Sequence, residues 1–122
     1  MKISEIRKLL SGDIEPWEIW ERNKGLVDSY KKSLSKQGTS VVISAIEDED
    51  LSITMHEVRV LCSLFIEEEL KVLELGLIAD ILGLSDRIDF ESDEVEEYIS
   101  HMTDPEINGI FTTEYAKEIV LN

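Results

Sequence analysis

Two histidines, one cysteine and 27 acidic residues are the side chains of this 122-residue chain best suited to acid–base, nucleophilic or metal chemistry. A zinc site or a catalytic pair needs partners at helical spacing. His56 and Cys62 stand six residues apart and point to different faces of a helix. His101 has no cysteine or second histidine near it in sequence. Both histidines are therefore expected as surface or interhelix residues. Cys62 falls on an apolar helical face with Val58, Leu61 and Phe65, which predicts a buried, inert thiol. As the sole cysteine it can form no internal disulfide, a usage that suits a reducing compartment.

The stretch Asp86-Arg87-Ile88-Asp89-Phe90-Glu91-Ser92-Asp93-Glu94 has the carboxylate density of a calcium loop. It lacks the glycine of the sharp EF-hand turn and sets apolar residues at ligand positions. An acidic loop leading into a helix explains it better, with Asp93 and Glu94 complementing the positive helix N-terminus. The chain contains no glycine-rich phosphate loop and no nucleophile elbow. Close carboxylate pairs arise by chance at this acidity. The sequence therefore predicts no enzyme, no cofactor and no metal.

Charge is unevenly divided. Residues 1–36 hold eight basic and six acidic residues, and residues 37–122 hold four and 21, so the two parts carry +2 and −17. A one-signed field of this kind opposes compaction, and it also steers encounter with a basic surface. Nucleic acid is excluded as that partner, because holding phosphates takes a cationic stripe. Two acidic groups are the candidate partner-binding residues: Glu47, Asp48, Glu49 and Asp50, then Asp89, Glu91, Asp93, Glu94 and Glu97. Trp17 and Trp20 share one face of a helix, either anchoring it on the core or offering an aromatic anchor to a partner.

Helical periodicity supplies the elements that must position these groups. Ile3, Ile6, Leu9 and Leu10 form a stripe ending at Ser11-Gly12, where Gly12 suits a left-handed C-terminal residue. Pro16 suits the first position of a second helix, which carries Trp17, Ile19 and Trp20 and breaks near Gly25. Val27, Tyr30 and Leu34 give a third helix closed by Gly38. Residues 39–46 read as a short helix, although Val41-Val42-Ile43 favours a strand. The run 47–50 must be solvated or met by a partner.

Thr54 and Glu57 form a capping box ahead of Val58, Leu61, Cys62 and Phe65. Leu70, Leu73, Leu77 and Ile81, widened by Val72, Leu75, Ile78 and Leu82, make a helix apolar around most of its circumference. That helix is therefore central, and Gly83 stops it. Val95, Tyr98, Ile99 and Met102 mark another, ended by Asp104-Pro105. After a turn at Asn108-Gly109, Thr112 or Thr113 caps a last helix through Tyr115, Ile119 and Val120. No strand pair emerges. The expected architecture is an all-α bundle of roughly six to eight helices in one acidic domain spanning 1–122. Met1-Lys2-Ile3-Ser4-Glu5 has no signal-peptide core, and no apolar run is long enough to cross a membrane. A soluble, cytoplasmic protein, monomeric before it meets its partner, is expected.

Two passages carry a resemblance. Ile3 to Trp20, with its short helix, glycine-containing turn and second amphipathic helix, resembles the opening of helical bacterial immunity proteins. Leu77 to Ile119, through Ile-Ala-Asp-Ile-Leu-Gly-Leu-Ser and Thr-Asp-Pro-Glu-Ile-Asn-Gly-Ile-Phe-Thr, resembles the back half of small proteins encoded beside polymorphic or contact-dependent growth-inhibition toxins. The resemblance implies an immunity function: stoichiometric occlusion of a cognate toxin domain, a basic nuclease cleft being the type that matches the acidity. It carries no binding residue with it. The alternative is an acidic helical adaptor for an unrelated basic partner.

Overall fold

The computed structural model describes residues 1–34, 45–103 and 111–121. Among these residues it contains seven helices: α1 (Ile3–Ser11), α2 (Pro16–Arg22), α3 (Lys24–Leu34), α4 (Met55–Ile66), α5 (Val72–Leu84), α6 (Asp93–His101) and α7 (Thr113–Leu121). The expected all-α bundle is thus present, with one addition: two three-residue strands, β1 (Leu51–Ile53) and β2 (Ile88–Phe90). The closing Gly38, residues 39–44, Asp104-Pro105 and the Asn108-Gly109 turn lie outside the described residues.

Carboxylates start four of the helices. A glutamate in the first turn reaches back to the backbone N–H that precedes the helix, satisfying a donor the helix itself leaves unpaired. Glu5 accepts from Lys2 at 2.9 Å, Glu18 from Glu15 at 2.8 Å, Glu57 from Thr54 at 3.3 Å and Glu74 from Lys71 at 2.8 Å. The Thr54 hydroxyl completes its capping box by accepting from the His56 N–H. Ser92 caps α6 by accepting from Val95, and Thr112 caps α7 by accepting from Tyr115. Gly12 closes α1 at φ +81°, and Pro16 opens α2, both as the sequence predicts.

The core forms around α5, where Leu75, Leu77, Ile78, Ala79, Ile81 and Leu82 are all fully buried. Each such leucine or isoleucine contributes about 1.5–3 kcal/mol of apolar burial before entropy is counted. Ile3, Ile6 and Leu9 of α1, Ile19 of α2, Tyr30 of α3, Val58, Leu61 and Cys62 of α4, and Val95 and Ile99 of α6 close around it. At the edge of this core, Phe65, Phe111 and Tyr115 meet in tilted and edge-on contacts with 5.4 Å between neighbouring ring centroids, joining α4 to α7.

Four expectations need correction. First, a strand pair exists: β1 and β2 are parallel, with Leu51 opposite Ile88, Ser52 opposite Asp89 and Ile53 opposite Phe90. A parallel pair needs a long crossover, here α4 and α5, so the partners are remote in sequence and each run is too short to show a period. Ile88-Asp89-Phe90 is therefore a strand inside the stretch expected as an acidic loop. Second, Ile46 is not helical. It forms a parallel bridge with Lys2, its N–H donating to Met1 O at 2.9 Å and its carbonyl accepting from Ile3 N at 3.0 Å. Third, the chain breaks at Asn23, not at Gly25, which lies inside α3. The Asn23 side-chain amide donates to the Ile19 carbonyl at 2.8 Å, occupying an acceptor at the end of α2. Fourth, α5 continues through Gly83 to Leu84.

Candidate functional site

Two segments meet where the parallel strands begin. The run 47–50 leads into β1 and Ser85-Asp86-Arg87 leads into β2, so the pairing sets them side by side. All four carboxylates of the run find partners within the chain. Glu47 accepts from the Ser85 hydroxyl and from the Asp86 N–H. Asp48 accepts from the Ser4 hydroxyl and from the Ser4 N–H at 3.0 Å. Glu49 pairs with Arg7, and Asp50 with Arg87 Nε at 2.8 Å. Arg87 also donates from Nη1 to the Glu47 carbonyl at 2.6 Å. The run was expected to be solvated or met by an external partner. It stays solvated, with Glu47, Asp48 and Asp50 exposed, and it also clasps α1 to the start of β2, because complementary cations and hydroxyls come from both sides in the fold.

The electrostatic consequences follow from these bonds. The Ser85 hydroxyl holds the Glu47 carboxyl below its ordinary range, and the Ser4 hydroxyl and N–H do the same for Asp48. The hydrogen bonds that Arg7 and Arg87 donate to Glu49 and Asp50 push their guanidinium groups further up. These groups remain in contact with water, so each pair adds little to stability. Their role is to fix position.

On the exposed face of the strand pair lies an open groove of about 380 Å³, lined by Asp50, Leu51, Ser52, Asp86, Arg87, Ile88 and Asp89. The register puts Asp89 directly across from Ser52, both exposed. Asp50 and Asp89, one from each candidate cluster and 39 positions apart, thus line one groove. Asp86 is the third carboxylate there, and neither it nor the clamping Arg87 is among the partner-binding candidates that charge alone suggests. Neither carries a local signal, since three residues are too few to show a strand period and the pairing partner is remote in sequence.

Beyond the groove the chain enters α6. Glu91 is partly occupied, accepting from the Met55 N–H at 3.0 Å while its own N–H donates to Ile53 O. Asp93, Glu94 and Glu97 are exposed along α6, joined by Glu96. Tyr98 donates to Glu94 at 3.2 Å, and Glu97 lies 3.7 Å from His101 Nε2. The second cluster therefore divides: Glu91 holds the start of α4, and the others face outward in a strip continuous in sequence with the groove.

The remaining candidates have structural surroundings. His101 Nδ1 sits 2.8 Å from the Tyr115 hydroxyl, an interhelix position, and His56 is exposed. Cys62 is fully buried, and burial pushes its thiol up to about 12. No group of three or more His, Cys, Asp or Glu side chains among the described residues is arranged to hold a metal ion. The two tryptophans part company: Trp20 packs on the core, while Trp17 is 66% exposed. No helix among the described residues is long and apolar enough to cross a membrane.

Compared with protein-family models, with curated proteins and with solved structures, the chain matches none.

Proposed function

We propose that this chain is a binding protein that captures a basic protein surface through the strand groove and the outer face of α6, and that it acts as an immunity protein for a cognate toxin domain. One observation carries the reading. Asp50, Asp86 and Asp89 gather in one groove, and exposed Asp93, Glu94 and Glu97 follow in sequence on α6, with Arg87 the sole cation of the groove lining among the described residues. Carboxylates in such a row can stand where phosphate oxygens would lie in a basic nuclease cleft. Close charge pairs across such an interface couple by about 1.5–7 kcal/mol each, so a few are enough for tight binding. The clasp of residues 47–50 serves the same end by fixing the groove before the partner arrives, which lowers the ordering cost of association.

The test uses the toxin domain encoded next to this gene, the arrangement expected of an immunity pair. Asp89→Lys with Asp93→Lys changes two exposed side chains and leaves the clasp bonds intact. Binding to that domain, measured by calorimetry, and protection of cells expressing it should both be lost while the helical circular dichroism spectrum is unchanged. The wild-type association rate should also fall steeply with salt, as the screening length shrinks from about 30 Å at 0.01 M to about 8 Å at physiological strength. Full protection by the folded double variant would overturn the assignment of this surface.

A further inference from the structure

The opposite charge gathers elsewhere. Lys2, Lys8 and Arg22 line one cleft of about 480 Å³ between α1, the end of α2 and the Ile46 bridge. None of the three forms an ion pair among the described residues, although the chain has 27 acidic side chains against 12 basic ones. Asp48 feels the charge of Lys2, but its oxygens are bonded to Ser4. On the cleft wall stands Glu5, 9% exposed, whose oxygens accept from the Lys2 N–H at 2.9 Å and the Asn23 amide at 3.3 Å.

We infer that this cleft is a binding site for a small phosphomonoester with an apolar body. Three cations facing one space repel one another, and a counter-charge among them removes that cost. Glu5 and the nearby Asp48 offset part of this charge and the Met1 ammonium, also in the lining, adds to it, leaving the cleft net positive for the ligand to meet. A phosphomonoester carries about −1.5 to −2 at neutral pH and offers three strong acceptor oxygens, whereas a carboxylate brings a single charge. The volume falls within the range of about 300–1,000 Å³ typical of small-molecule sites, more than a bare phosphate fills. Ile46, more than half exposed on the rim, supplies apolar surface for the remainder. The strongly acidic remainder of the chain keeps a polyanion such as nucleic acid away while leaving room for one phosphate.

Phenyl phosphate and inorganic phosphate are the probes, titrated into the full chain at low ionic strength and neutral pH and followed by amide NMR shifts. Phenyl phosphate should give saturable shifts at Lys2, Glu5, Lys8 and Arg22 and bind at least about fivefold tighter than inorganic phosphate, which lacks the apolar body. Lys8→Ala with Arg22→Ala should weaken it at least about tenfold with an unchanged helical spectrum, since each change removes a charge-assisted contact. Lys8→Gln alone, which keeps the stem and polarity, should also weaken it. Glu5→Gln retains an acceptor for the Lys2 N–H and removes the opposing charge, so binding should tighten. Absence of saturable shifts, or double-variant affinity equal to wild type, would overturn the site. Equal affinity for the two probes would overturn the phosphomonoester assignment.

Discussion

Adding one methyl group at Gly76 and one at Gly83, both in α5, should change stability in opposite directions. At an open helical site Gly→Ala stabilises by about 0.5–1 kcal/mol, because glycine loses more backbone freedom on folding. Gly83 meets that condition: a Cβ there finds nothing within 4 Å. At Gly76 a Cβ would stand 3.2 Å from the Tyr30 hydroxyl oxygen and 3.4 Å from the Met102 carbonyl oxygen. Neither neighbour yields easily. Tyr30 is fully buried and donates to Asp80 at 2.6 Å, and the Met102 carbonyl is backbone at the end of α6. Overpacking of this kind costs about 1–3 kcal/mol, so Gly76→Ala should lose up to about 2 kcal/mol net of the propensity gain. For a chain of this size about 1 kcal/mol moves Tm by roughly 3–5 °C. Urea titration and thermal melts should place Gly83→Ala above wild type and Gly76→Ala below it. Tyr30→Phe removes the nearest clashing atom, so the Gly76→Ala/Tyr30→Phe cycle should show a favourable coupling of about 1 kcal/mol. If Gly76→Ala proves as stable as Gly83→Ala, the close approach of α3 and α6 to α5 is refuted. The packing that aims the acidic face of α6 would then be different from that described.

The clasp makes stability depend on acid. The folded-state carboxyls of Glu47 and Asp48 lie below their ordinary values of 4.5 and 3.8, so their contribution is full above those values and is lost as pH falls through the lower folded ones. Urea midpoints measured from pH 7 down to pH 3 should fall less steeply for Ser4→Ala/Ser85→Ala, and parallel slopes would contradict the role given to those hydroxyls. Cys62, with its thiol pushed up to about 12 and no exposed surface, should resist alkylation at pH 8 in the native chain. It should react promptly in denaturant, and rapid native labelling would show that α4 does not hold it as described.

What the sequence by itself determined is local. The end of α1 at Gly12, the start of α2 at Pro16, the Thr54–Glu57 box and the apolar girdle of α5 each depend on residues within a turn or two. Backbone geometry and unsatisfied N–H groups act over that range, so composition and spacing carry the answer. The abundance of carboxylates was equally legible, as was the burial of Cys62 on its helical face. Which carboxylates face outward was decided only by tertiary structure. Residues 47–50 look free in sequence because their partners, Ser4, Arg7, Ser85 and Arg87, lie roughly 40 positions away. Asp50, Asp86 and Asp89 share a groove only because a parallel register brings β1 beside β2, and three-residue strands hold no periodicity to announce it. The same holds for the break at Asn23, whose amide also reaches Glu5 of α1 at 3.3 Å, and for the left-handed Glu68 at φ +63°. At Glu68 the bonds from Glu68 N to Phe65 O and from Glu69 N to Leu64 O close α4 without a glycine. A left-handed non-glycine residue persists only where its surroundings fix it, and Leu70, buried two residues later, supplies that anchorage.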